Sequence, residues 1–97
     1  MNIKGSEKQI KWAEDIRKRA LNAIERKRTW FKKADDEGHL DCKIEIESCD
    51  ETREMLERWF NMCTDASQII ARKNYLSEDG VWSIIRGKTR EKGCRRY

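Results

Sequence analysis

The residues with chemistry to offer are few, and their spacing does not suit it. The chain carries four cysteines, Cys42, Cys49, Cys63 and Cys94, and one histidine, His39. Structural zinc sites use close ligand pairs, because four ligands must converge on one ion. His39-x2-Cys42 has such a spacing, but no CxxC occurs and the remaining cysteines are scattered. No metal site is expected. A disulfide is disfavoured in a reducing cytoplasm, and Cys63 falls on an apolar helical face where a thiol serves as a small core residue. Catalysis lacks a constellation: there is one histidine, no glycine-rich phosphate loop, no GxSxG and no carboxylate pair in apolar surroundings. Glu45 and Glu47 share a face if extended, as in any alternating strand. The expectation is a protein without enzymatic activity, cofactor or metal.

Charge is more informative. The net charge of +4 conceals a segregated chain. Residues 6–33 carry ten basic and four acidic side chains, residues 34–65 three and eleven, and residues 66–97 eight and three. Two readings compete. The acidic middle can fold back on the basic flanks, or a patch of either sign can meet a partner of the opposite sign. A partner coated in phosphate is hard to reconcile with so acidic a middle. The acidic surface offered to a basic protein partner would be Asp35, Asp36, Glu37, Asp41, Glu45 and Glu47. A nucleic-acid surface would instead draw on Lys11, Arg17, Lys18, Arg72 and Lys73, with Arg72-Lys73 followed by Tyr75 the most DNA-like cluster outside the first helix.

The elements that must position these residues read as helices. Ser6 with Gln9 three residues on is a capping-box pattern. No Pro or Gly follows until Gly38, and Ile10, Ala13, Ile16, Ala20, Ile24 and Phe31 recur at helical spacing. This predicts a long amphipathic helix over about 7–33, with Trp12 and Trp30 assigned to the core rather than to a ligand platform. Leu40, Cys42, Ile44 and Ile46 then alternate with charged residues. This predicts a short extended segment over 40–47, read as a strap across the first helix. A strand paired with a second copy and the start of the next helix are the other readings. A second capping box at Ser48–Glu51 opens a helix over about 50–63, Thr64 or Asp65 caps a third over 66–74, and Ser77 caps a fourth that Gly87 ends. Residues 88–97 read as a frayed basic tail.

Leu, Ile, Val and Phe number only 17 in 97 residues, so the core is expected to be small and to lean on four tryptophans. The whole is one all-α domain, a three- to four-helix bundle along the first helix. No apolar run reaches the length of a membrane span and no signal-peptide core is present. The expected setting is the cytoplasm of a bacterial host cell.

The opening Gly5-Ser6-Glu7-Lys8-Gln9-Ile10-Lys11-Trp12-Ala13-Glu14-Asp15-Ile16-Arg17 resembles the start of small accessory proteins of phages, plasmids and mobile elements, of the form G-[ST]-E-K-Q-I-x-W-A-E-x-I-R. Asp65–Arg72 is similar to a second stretch of that family, with Ile69 where relatives often place an aromatic. The resemblance implies a mobile-element protein, a group that includes anti-CRISPR and other anti-defence inhibitors. The expected function is therefore a non-enzymatic inhibitor that masks a host protein or ribonucleoprotein complex, its acidic segment occupying a basic nucleic-acid channel. The alternative is a small helical nucleic-acid-binding or regulatory module using the basic face of helix 1. A homodimer is compatible with either.

Overall fold

Ser6 caps the first helix as its spacing predicts. The Gln9 N–H donates to Ser6 Oγ at 3.2 Å, and the Ser6 N–H donates to Gln9 Oε1 at 3.0 Å. In the computed structural model, which describes residues 3–39 and 41–94, helix α1 spans Glu7–Asp36. Thirty residues at ~1.5 Å each make a rod of roughly 45 Å, which sets the 48 Å long dimension of the molecule. Its buried stripe is Ala13, Ile16, Ala20, Ala23, Ile24, Phe31 and Ala34. Four of these seven are alanines. Small side chains let neighbouring helices approach closely, which is how a chain poor in large aliphatics still closes a core. The helix ends where Gly38 takes a left-handed φ of 73°. His39 N–H then donates to Ala34 O and Gly38 N–H to Asp35 O, a Schellman ending.

Segment 40–47 is not extended. Helix α2 spans Lys43–Met62, so the third reading of that stretch is the one observed; Leu40 lies outside the described residues. Asp35 Oδ1 accepts the Cys42 N–H at 3.1 Å and Asp41 Oδ1 the Lys43 N–H at 3.3 Å, fixing where α2 begins. The buried face of α2 is Glu45, Ser48, Cys49, Thr52, Leu56 and Phe60. Its first two turns bury polar side chains, so apolar periodicity could not reveal them. Ser48, expected as a cap, lies inside α2 and donates to Ile44 O at 2.9 Å.

Asp65 caps α3, which is shorter than expected: Ala66–Ala71, followed by turns to Leu76. Lys4 pairs in parallel with Asp65, tying the N-terminal segment to the start of α3. Helix α4, Glu78–Glu91, starts at Ser77 as expected but runs through Gly87. Residues 88–91 of the expected tail are therefore helical; 95–97 lie outside the described residues. Thr89 is fully buried and its hydroxyl lies 2.9 Å from Ser48 Oγ and 2.8 Å from Ile85 O, which excludes fraying there.

The fold is all-α. Arg28–Asp50 and Arg53–Glu25 mark α2 as antiparallel to α1, while Ser48–Thr89 and Lys92–Glu51 hold α4 against α2. Arg26 beside Glu78 and Phe31 against Trp82 ascend together along the two helices, so α4 runs parallel to α1. The short α3 packs at the N-terminal end of α1. Among the described residues no helix is long and apolar enough to cross a membrane.

Candidate functional site

The acidic residues gather at the α1–α2 turn and on α2, where most have internal work. Asp35 and Asp41 hold backbone N–H groups at the start of α2. Asp36 lies 3.8 Å from Lys32, Glu37 3.3 Å from His39, and Glu47 3.6 Å from Lys92. Glu45 is only 1 % exposed, because the helical register of α2 turns it inward. It forms no part of an exposed acidic surface. The acidic middle is met by the basic flanks: Arg28 bonds Asp50 at 2.7 Å, and Lys92 bonds Glu51 at 2.7 Å. The hydrogen bond that Arg28 donates to Asp50 holds its pKa above the ordinary value, and the one that Lys92 donates to Glu51 does the same for Lys92.

The five basic residues singled out from the sequence do not share one surface. Lys11 is exposed on the outer side of α1, and Lys18 lies beside Glu14, Leu21 and Arg53 toward α2. The Arg17 guanidinium stands 5.8 Å from the centre of the Phe60 ring. Arg72 borders an apolar recess with Leu56, Trp59 and Tyr75. Only Lys73 reaches the far side of α1, its Nζ 5.1 Å from the centre of the Trp12 ring. Gly80 contributes to that placement. A Cβ there would lie 2.4 Å from Tyr75 O and 2.5 Å from Asn74 O, so glycine lets the 72–76 turn sit tight on α4.

Lys73 points to a surface that the sequence reading passed over. Trp12 and Trp30, expected in the core, are 48 % and 58 % exposed. They are eighteen residues apart, which at ~3.6 residues per turn is five whole turns, so both project from the same side of α1, roughly 27 Å apart. Arg19 and Arg26 follow Trp12 at steps of seven and fall on the same ridge. The tryptophans are exposed because each sits one position before a buried residue, Ala13 or Phe31, at the edge of the buried stripe.

Around Trp12 a groove of about 550 Å³ runs past Arg19, Asn22, Arg26, Lys73 and Glu78. At the other end, Trp30 meets Phe31 edge-on at 5.2 Å, and Phe31 lies 5.7 Å from Trp82. Lys27 Nζ stands 4.8 Å from the Trp82 ring centre and the Arg86 guanidinium 5.7 Å from it. Arg26, Lys27, Trp30, Phe31, Glu78 and Trp82 enclose about 360 Å³. Arg26 and Glu78 border both compartments, so the two adjoin across that ion pair. Asp15 lies 3.0 Å from Arg19 and Glu78 3.4 Å from Arg26, which offsets part of their charge; Lys73 at one end and Lys27, Arg86 and Lys33, the last beside Trp30, at the other tip the balance to positive.

Chemically, this arrangement offers ring faces for stacking and cations for anionic groups. No cysteine lines it. The cysteines lie elsewhere, and burial pushes the Cys49 thiol up to about 12, which keeps it protonated and inert. Among the described residues no group of three His, Cys, Asp or Glu side chains is placed to hold a metal ion. The spacing of Trp12 and Trp30 was readable in the sequence as a whole number of turns, but only once aromatics are not assumed to be core. Comparison with protein-family models, curated proteins and solved structures gave no match, so what this surface does is read from its own chemistry.

Proposed function

We propose that this chain is a non-enzymatic binding protein that takes nucleic acid along the Trp12–Trp30 ridge of α1. One observation carries the reading: two exposed tryptophans in line on one helix, with two arginines between them and Lys73, Lys27 and Arg86 at the ends. Aromatic platforms interleaved with cations along a groove are the physical requirement for holding a phosphate chain and its bases. The acidic middle does not oppose this reading, because its charges lie at the α1–α2 turn and on α2, many of them spent on internal pairs.

Masking of a basic protein surface by the acidic segment draws less support. Glu45 is buried, and Asp35 and Asp41 serve the start of α2. The likeness of the opening to mobile-element proteins suits a small accessory factor of either kind. A gel mobility shift with labelled random-sequence oligonucleotides tests the proposal. Micromolar retention at about 100 mM salt is expected, and log affinity should fall against log salt with a slope near −3 if about four phosphates are neutralised on a single strand. No retention at 50 mM salt overturns it.

A further inference from the structure

Resting on that reading, we infer that the partner is a single strand rather than a duplex, held at two stacking points with a footprint of about five nucleotides. Trp12 and Trp30 are fixed on one continuous helix, so their separation is a ruler rather than an adjustable gap. A duplex offers neither ring a base face, because its bases are already stacked on each other. A single strand does. Unstacked and extended, a strand advances by roughly twice the 3.4 Å rise of a stacked one, so ~27 Å corresponds to about four steps and five bases.

The remaining contacts fit the same path. Lys73 covers part of Trp12 and leaves the rest of that ring open, with its ammonium placed for the phosphate next to a stacked base. Arg19 and Arg26 stand seven residues apart between the platforms; each has a carboxylate partner, Asp15 or Glu78, yet its exposed guanidinium keeps further N–H donors to offer an intervening phosphate. Asn22 and Asn74 line the same groove and add neutral hydrogen-bonding groups. At the Trp30 end, Lys27 and Arg86 are both held on Trp82, which keeps two cations beside the second platform. The stacking partners are Trp12 and Trp30; Trp82 acts by holding cations.

The test is a length series of fluorescein-labelled oligothymidylates, two to eight nucleotides, titrated by anisotropy against the full-length protein. Affinity should climb by about tenfold or more between three and five nucleotides, as the second ring is engaged, and then flatten. Trp12→Ala should abolish that step, and Trp12→Phe should restore most of it. Melting curves of the variants confirm folding, which is expected because both rings are about half exposed. Equal affinity for a hairpin duplex and a single strand of matched length overturns the inference, as does a length series with no step or a Trp12→Ala variant that keeps it. Polyglutamate bound as tightly as oligothymidylate also overturns it, since stacking would then contribute nothing. Each of those outcomes leaves anion binding by the ridge in place, whereas loss of all nucleic-acid binding removes the broader proposal as well.

Discussion

Thr89→Ala separates a structural helix from a loose tail. A residue in a frayed, solvated tail would tolerate alanine and even gain slightly from its helix propensity, by up to ~0.7 kcal/mol. In the structure Thr89 is fully buried, and its hydroxyl lies 2.9 Å from Ser48 Oγ on α2 and 2.8 Å from Ile85 O on α4. Losing the buried hydroxyl costs about 1 kcal/mol, moderated because Ser48 keeps its bond to Ile44 O. Losing the buried methyl adds ~0.8 kcal/mol plus a small cavity term. Set against the propensity gain, the net loss is about 1.5 kcal/mol. For a domain of this size each kcal/mol moves the midpoint by ~4–8 °C, so the Tm should fall by roughly 6–12 °C. Ser48→Ala in the same background should cost less than it does alone, because the two hydroxyls share one bond. Thermal melts by circular dichroism of the two single variants and the double variant read both numbers. An unchanged or raised Tm for Thr89→Ala would refute the α2–α4 seam.

Three further outcomes follow from burial and titration. Phe60→Ala should lose about 3–5 kcal/mol in urea unfolding, because the ring is fully buried, whereas Trp30→Ala should lose less than ~1 kcal/mol. The Ser67 N–H holds the Asp65 pKa below its ordinary value of 3.8, so its contribution is complete above that value and disappears as pH falls through the lower folded-state value. The acid limb of a pH–Tm profile should therefore flatten below about pH 4 in Asp65→Ala relative to the parent. With an aromatic disulfide reagent at pH 8, Cys94 should react first, while Cys49, whose thiol is held near 12, should react only on unfolding.

The parts of the fold legible in the sequence were those signalled by local hydrogen-bond chemistry. Ser6, Asp65 and Ser77 cap helices as their types and spacings indicated, and Gly38 follows the end of α1. What stayed hidden depends on tertiary packing. The first turns of α2 bury Glu45, Ser48, Cys49 and Thr52, residue types that carry no apolar period, so the alternation of Ile44 and Ile46 looked like a strand. Gly87 does not stop α4, because buried Thr89 holds the next turn against α2. Trp12 and Trp30 were misplaced for a related reason. A tryptophan beside an apolar stripe looks like core from spacing alone, yet Trp12 and Trp30 stand at the rim of that stripe, each about half exposed. The charge segregation was read correctly as two alternatives, and the Arg28–Asp50 and Lys92–Glu51 pairs show that the acidic middle folds back on its flanks.

The central claim is that the basic and aromatic ridge acts, rather than the acidic turn. Charge reversal on each surface tests it most directly, using anisotropy of a labelled eight-nucleotide single strand at about 100 mM salt. Arg19→Glu with Lys73→Glu should weaken binding by at least tenfold, with an effect that shrinks as salt rises. Asp36→Lys with Glu47→Lys should leave affinity equal or somewhat higher. Undiminished binding by the ridge variant, or loss of binding on reversal of the acidic turn, would contradict the account.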